Sequence, residues 1–206
     1  TGPGEYADGD IFIGVTVPLI RKVAEQFQDL LFSDVIKLLR SRIHEERFLA
    51  LLILLRRFKK GDVKAREKIY KAYLANIKFV NNWDLVDLSA PEIVGGFLID
   101  KARHTLYRLA RSKLLWERRI AILATFTFIR ANDLKDVFEI TKLLLGDKED
   151  LIHKACGWML REAGKRNLQA EEEFLRKNCK NMPRTMLRYA LEKFPPDKRE
   201  LFLKLT

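Results

Sequence analysis

The sequence predicts an all-α protein, a curved solenoid of antiparallel helix pairs of the HEAT or armadillo kind. Glycine and proline together supply only 16 of the 206 residues, below the roughly 12% of an average protein, which disfavours a turn-rich β fold. Apolar residues recur at helical spacing in almost unbroken succession, and no stretch alternates with a period of two. Similar helices return about every 36 residues, as in a helical repeat.

Helix starts can be assigned in order along the chain. Thr16 with Pro18 opens the first helix and Ser33 caps the second, because hydroxyl side chains favour N-caps and proline favours the first turn. Ser89 with Pro91 is predicted to start a new helix after a short one, and glycines and a proline pair end later helices. The predicted helices cover residues 16–31, 33–42, 44–60, 62–79, 82–88, 89–100, 102–112, 114–130, 133–145, 148–165, 168–179, 183–194 and 197–205.

A repeat register follows from the basic residues that open the second helix of each pair. Arg47, Arg119 and Lys154 align when the step is taken as about 36 residues, and the same step from Arg47 reaches Trp83. In this register Trp83, Arg119 and Lys154 form one row across neighbouring helices. The row one turn later consists of Asp87, Leu123 and Trp158.

The domain organisation and compartment follow from simpler features. We expect one repeat domain over residues 1–206, with residues 1–11 as a loop that follows a helix outside this sequence. The longest aliphatic run, Phe48–Leu55, is far shorter than the ~20 residues of a membrane span. Two cysteines and three scattered histidines exclude a disulfide framework and a metal-ligand cluster. We therefore expect a soluble monomer in the cytoplasm, associated with the nucleoid, with no bound metal.

The charge of +11 is concentrated in three blocks. Residues 37–71 carry +8, residues 101–119 carry +6 and residues 164–206 carry +5. A single block of this kind is commonly just a solvated helix face. Because the blocks recur in separate elements, an anionic polymer is the better interpretation, with nucleic acid as the leading partner and a membrane surface as the weaker one.

The second row is unusual because a purely structural repeat would place aliphatic residues there. Instead it contains Asp87 and Trp158, and Trp83 lies one turn before Asp87. Taken singly, Asp87 could cap a helix that starts near Ser89, and each tryptophan could pack in the core. Together, a carboxylate and two aromatic faces in register predict a site for a cationic or partly cationic ligand.

Four motifs follow one another over residues 12–18, 83–91, 118–121 and 154–162. They read Phe-x-Gly-Val-x-x-Pro, Trp-Asp-x-x-Asp-x-x-Ala-Pro, Arg-Arg-x-Ala and Lys-Ala-x-Gly-Trp-x-Leu-Arg-Glu. This ordered set resembles the AlkD family of DNA glycosylases. The resemblance extends from about Phe12 to Tyr189.

The resemblance implies a HEAT-like solenoid that wraps double-stranded DNA and releases N3- and N7-alkylated purines without a cofactor. It also implies that the target base is not drawn into a pocket. Asp87 would be the catalytic carboxylate, and Trp83 and Trp158 would flank the deoxyribose of the lesion. The residues implied to contact the DNA backbone are Arg118, Arg119, Lys154 and Arg161.

The chemistry of such a substrate agrees with this set of residues. An alkylated purine already carries positive charge, so its glycosidic bond breaks without a general acid, leaving an oxocarbenium-like sugar that a carboxylate stabilises. Two alternatives remain: a non-catalytic HEAT-repeat DNA-binding protein and a helical-repeat protein scaffold. Asp87 argues against the first, because a phosphate binder gains nothing from an acid in its groove. A basic, tryptophan-containing face argues against the second.

Overall fold

In the computed structural model the structure is described for residues 9–205, and the chain forms two compact units, Thr1–Phe97 and Leu98–Thr206. The all-α prediction is confirmed: over residues 9–205 the only β contact is an isolated parallel bridge between Ile11 and Ile43. No helix in that range is long and apolar enough to cross a membrane. The loop predicted for residues 1–11 lies outside the described residues over its first eight positions, and the single-domain organisation stays a prediction.

The first unit is organised around one long, largely buried helix, α3. Apolar side chains on nearly every face of α3 are buried, including Phe48, Leu51 and Leu54. Helices α1, α2, α4 and α5 all pack against it, so α3 is the core of the unit. The helices are α1 Val17–Gln26, α2 Phe32–Leu39, α3 His44–Lys60, α4 Val63–Ala75 and α5 Trp83–Ser89, followed by a π-helical segment Ala90–Gly95.

The second unit is built around α8 and α10. These two helices pack against each other, α7 and α9 pack against α8, and α11 and α12 pack against α10. Short turns join the partners of each pair, as is usual for antiparallel neighbours. The helices are α6 Gly96–Leu98 (at the boundary of the units), α7 His104–Ala110, α8 Leu115–Arg130, α9 Lys135–Leu143, α10 Asp150–Gly164, α11 Leu168–Asn178, α12 Arg184–Ala190 and α13 Pro196–Lys204.

Two serines that were predicted to start helices do not do so. Ser33 does not cap α2, because the helix begins one residue earlier and Leu31 occupies the N-cap position. Ser89 does not start a new helix either: α5 continues directly into the π-helical segment. The hydroxyl of Ser89 donates to the carbonyl oxygen of Leu85, four residues back, at 2.5 Å. Within a helix this back-bond replaces the capping bond that a serine makes at a helix start.

The repeat register predicted from the basic residues is wrong by one residue for Arg47. The fourth residue of the second helix makes the same contact in three pairs, and these residues are Arg47 in α3, Arg118 in α8 and His153 in α10. Each donates to carbonyl oxygens of the turn just before its helix, at N–O distances of 2.6–3.2 Å. Arg47 is therefore equivalent to Arg118, not to Arg119. Arg119 and Lys154 do remain equivalent, as the fifth residues of α8 and α10.

Gly157 allows α10 and α12 to pack at close range. A Cβ atom at this position would lie 2.5 Å from both the carbonyl oxygen of Met186 and the Cβ of Tyr189. Both atoms belong to α12, and a carbonyl oxygen cannot move without moving the helix. The predicted motif residue Gly157 therefore serves helix packing.

Replacing Gly157 by alanine is expected to cost about 3 kcal/mol, the upper end of what overpacking costs in other cores, because the clash involves a backbone carbonyl. Alanine inside a helix brings a gain of about 1 kcal/mol, so the free energy of unfolding should fall by about 2 kcal/mol. Urea denaturation measures the change. Gly146→Ala is the matched control, because nothing lies within 4 Å of a Cβ there. Equal stability of the two variants would contradict the close packing of α10 and α12.

Candidate functional site

Trp83 and Asp87 lie at the start of α5 in the first unit. Asn82 caps this helix by accepting a hydrogen bond from the backbone N–H of Trp83 at 2.8 Å. Trp83 is the first helical residue and its exposed fraction is 46%, so the core-packing alternative is wrong for this tryptophan. Asp87 follows one turn later and is half-buried. Since residues four apart share a helix face, Trp83 and Asp87 lie on the same face of α5.

The segment after Asp87 is wider than an α-helix. Pro91 has no N–H to donate to the carbonyl of Asp87, four residues back, and its ring would crowd that carbonyl in a regular helix. The π-helical segment Ala90–Gly95 contains this proline near its start, and such local widening is often found at functional sites. Asp87 therefore lies inside a continuous helix, and the alternative that it caps a new helix near Ser89 is wrong.

A buried hydroxyl pair lies close to Asp87. The Tyr73 hydroxyl lies 2.9 Å from the Ser89 hydroxyl, and both side chains are fully buried. Burial raises the pKa of Tyr73 above its ordinary value, and the negative charge of Asp87 raises it further, against the effect of the Ser89 hydrogen bond. The tyrosine thus stays neutral beside the aspartate.

A cluster of polar side chains between α3 and the start of α5 could not be predicted from the sequence. The ring of His44 lies between two carboxylates, with Nδ1 3.2 Å from Asp10 Oδ2 and Nε2 2.8 Å from Asp84 Oδ2. Arg47 and Asn82 also donate to Asp10, at 2.6 and 3.1 Å. We call these five residues the His44 cluster. Asp84 therefore faces α3 rather than sharing the face of Trp83 and Asp87.

Trp158 belongs to the second unit, on α10. Its indole N–H donates to Glu162 Oε1 at 3.2 Å, and its ring centroid lies 5.9 Å from that of Phe126 on α8. The guanidinium of Arg130 lies over Phe126 at 4.1 Å from the ring centroid. Trp158 is half-buried, so one part of the indole packs in the unit while another part remains accessible.

The four cations predicted to contact DNA differ in their surroundings. Arg118 pairs with Asp147, with its Nε 2.6 Å from Oδ2. Arg119 is only 5% exposed and donates to the carbonyl oxygen of Leu151. This buried guanidinium donates to a carbonyl of α10 and thereby stabilises the fold, because leaving that carbonyl unpaired would be costly.

The other two cations lie on α10. Arg161 forms ion pairs with Glu192 and Glu162, and its side chain is mostly buried. Lys154 pairs with Asp150 at 2.7 Å, but 42% of its side chain is exposed. Of the four, Lys154 has the most accessible charge, and the DNA-binding roles of all four stay predictions.

The predicted site residues belong to different units. Trp83 and Asp87 lie in the first unit, whereas Trp158 and the four cations lie in the second. Their assembly into one site stays a prediction. Among residues 9–205 no group of three or more His, Cys, Asp or Glu side chains is arranged to hold a metal ion.

A buried carboxyl group lies beside Arg161. Glu171 at the start of α11 is 2% exposed and packs against Gly164 of α10, where a Cβ atom would collide with the carboxyl. Burial raises the pKa of Glu171 to about 8, with a further increase from the charge of Glu172 and an opposing effect from Arg161. At neutral pH Glu171 is therefore mostly protonated.

This raised pKa makes the stability of the fold depend on pH. A carboxyl group that binds its proton more tightly when folded stabilises the fold fully below its unfolded pKa of 4.5, and this contribution is lost as pH rises through about 8. We expect the melting temperature to fall over this range. Glu171→Gln should remove that part of the pH dependence, whereas Glu173→Gln, an exposed neighbour, should not. Identical pH profiles for wild type and Glu171→Gln would contradict the assignment.

A family model described as "DNA alkylation repair enzyme" matches residues 5–194. No curated protein sequence matches significantly. A solved structure described as a predicted DNA alkylation repair enzyme from Enterococcus faecalis superposes with a TM-score of 0.70 at 16% identity, over 93% of this chain and 92% of that one. At this identity the superposition shows a shared fold.

Proposed function

Because the chain belongs to the DNA alkylation repair enzyme family, we propose that it is a DNA glycosylase that hydrolyses the N-glycosidic bond of N3- and N7-alkylated purines in double-stranded DNA. The observation that carries this proposal is the arrangement at the start of α5. There a half-buried residue with a carboxylate, Asp87, follows an exposed tryptophan, Trp83, by one helical turn on the same face of α5.

The reaction needs little from the protein because the substrate is already activated. An N3- or N7-alkylated purine is cationic and leaves as a neutral base when the glycosidic bond, from C1′ of the sugar to N9 of the purine, breaks. The electrons of that bond go to the base, and the sugar becomes oxocarbenium-like. Water then adds its oxygen to C1′ and releases a proton, leaving an abasic site and the free base. No cofactor takes part in this sequence.

Asp87 is proposed as the group that stabilises the sugar cation and orients the water. A fixed carboxylate stabilises a nearby positive charge most strongly where water is partly excluded. Asp87 is half-buried, shares a helix face with Trp83 and lies near the buried Tyr73. The tyrosine cannot compete for the role of base, because its raised pKa keeps it protonated.

The two tryptophans are proposed to flank the deoxyribose. The face of an indole attracts positive charge, and the attraction grows when solvent is excluded. Trp83 offers an exposed ring on the same helix face as the carboxylate, and Trp158 offers the accessible part of a ring held by Glu162 and Phe126. Both rings would then favour the cationic transition state over the neutral product sugar.

Contacts with the DNA backbone are proposed to come first from Lys154, whose charge is the most accessible of the four predicted cations. Arg118, Arg119 and Arg161 would contribute by fixing the helices that present it, since each is held by carbonyls or carboxylates of its own unit. The net charge of +11 supports attraction to a phosphate backbone. The protein is proposed to act on duplex DNA as a monomer.

Asp87→Asn is expected to lower the single-turnover rate of 7-methylguanine release by about 10²–10³, because the amide cannot stabilise the developing positive charge. Release is measured by chromatography of the free base from a methylated duplex, and binding of undamaged duplex should change less than twofold. Asp84→Asn is the control for the other acid of the motif. Its single-turnover rate should fall at most about tenfold, since Asp84 faces His44 and not the face of Trp83 and Asp87. A more damaging effect of Asp84→Asn than of Asp87→Asn would overturn the catalytic assignment.

Substrate choice should follow the charge of the leaving base. Without a general acid for the base, a neutral leaving group is disadvantaged by about 10²–10⁴ in rate. We expect release of 3-methyladenine and 7-methylguanine, but not of uracil or hypoxanthine, from otherwise identical duplexes at pH 7. Efficient release of uracil would show that the protein supplies a proton to the base and would contradict this mechanism.

A further inference from the structure

The His44 ring has a carboxylate oxygen at each of its two nitrogens. Nδ1 lies 3.2 Å from Asp10 Oδ2 and Nε2 lies 2.8 Å from Asp84 Oδ2. A neutral imidazole carries one N–H and donates to only one of them, whereas an imidazolium donates to both. The side chains of His44 and Asp10 are 5% and 4% exposed, and that of Asp84 is 28% exposed, so the contact of Nδ1 with Asp10 is shielded from water. A carboxylate oxygen at each ring nitrogen favours the protonated ring.

The charged groups around the ring favour the same protonation state. Asp10 and Asp84 contact it, Glu45 on the same helix adds a third carboxylate, and Arg47 supplies one positive charge. Burial alone would lower the pKa of His44, but the hydrogen bonds and charge of the carboxylates, Asp84 first, raise it above 6.5 against the effect of Arg47. The Phe12 ring stacks on the imidazole at a centroid distance of 4.6 Å and covers it.

The cluster holds the start of α5 on both sides of Trp83. Asn82, the N-cap, accepts from the Trp83 N–H and donates to Asp10. Asp84 accepts from the backbone N–H of Leu85 through Oδ1 and faces His44 through Oδ2. Asn82 and Asp84, the neighbours of Trp83 in sequence, are thus held by the contacting pair of Asp10 and His44. Asp87 lies one turn further along the same helix.

We propose that His44, as an imidazolium bridging Asp10 and Asp84, is a positioning residue for base release that holds the first turn of α5 and thereby the direction of Trp83 and Asp87. The proposal rests on the proposed glycosylase function. It assigns to α3 a role that is independent of DNA contact. A displacement of about 1 Å at a catalytic group is enough to cost roughly 10²-fold in rate.

The proposal has a defined pH dependence. A histidine whose folded pKa is raised contributes stability fully below its unfolded pKa of 6.5, and the contribution is lost as pH rises through the higher folded value. Above that value the neutral ring keeps one N–H and donates to only one of the two carboxylates. The other carboxylate loses its hydrogen bond from the ring, and the start of α5 is held less firmly. Base release should therefore fall on the alkaline side while the binding of undamaged duplex is retained.

Two measurements on the full chain test this. In an NMR titration of histidine ring signals, assigned by their loss in His44→Gln, His44 should titrate above 6.5. In Asp84→Asn its pKa should fall, because an amide donates to the neutral ring, which then needs no second proton. The alkaline limb of base release should change in that variant. A His44 pKa at or below 6.5 in the wild type, or one unaffected by Asp84→Asn, would overturn the proposal.

Activity provides the second readout. His44→Gln should slow single-turnover release of 7-methylguanine by about 10- to 100-fold, with less than a twofold change in the dissociation constant for undamaged duplex. His104→Gln is the matched control, since His104 is exposed at the start of α7, and should behave as wild type. Equal rates for His44→Gln and wild type would refute the positioning role. If the wild type releases no base at any pH, the glycosylase function fails, and the titration alone decides the imidazolium bridge.

Discussion

The structure of both units depends on one recurring contact, from a basic residue near the start of a second helix to the carbonyls of the turn before it. Arg47, Arg118 and His153 make this contact in three helix pairs. Turn carbonyls enclosed between helices have no partner within the turn, and each one left unpaired costs about 1–3 kcal/mol. The contact satisfies them and fixes where the second helix begins. Asp10 and Asp147 neutralise the two arginines, so the buried charges are paired.

This constraint decides which positive charges remain for a partner. Much of the basic character of the chain is used inside the units, by arginines that hold carbonyls or carboxylates. Arg119 and Arg161 are further examples, since each joins α10 to a neighbouring element. The formal charge therefore overstates the number of cations that are accessible to a partner, and Lys154, with 42% of its side chain exposed, is one that remains accessible. Through Asp10, Arg47 is also linked to Asn82, the N-cap residue of the helix α5 that contains Trp83 and Asp87.

The sequence predicts the helices, because these depend on local periodicity. It also predicts that Trp83 and Asp87 share one face of α5, which follows from their four-residue spacing. The sequence does not distinguish Arg118 from Arg119, since adjacent basic residues look alike until packing buries one of them. Nor does it reveal the His44 cluster, whose carboxylates are 34 and 40 residues away from the histidine. The continuation of α5 past Ser89 was missed because serine and proline usually mark a helix start, and only the π-helical widening allows them inside one.

The proposed function rests on one chemical step, in which the protein breaks the bond between an alkylated purine and its sugar. The most direct measurement is mass spectrometry of both products after incubation of the wild-type protein with a duplex carrying a single 7-methylguanine. We expect free 7-methylguanine in solution and an abasic site in the strand, in equal amounts and without added cofactor. An unchanged strand, or a strand that has lost only the methyl group and retains guanine, would contradict it.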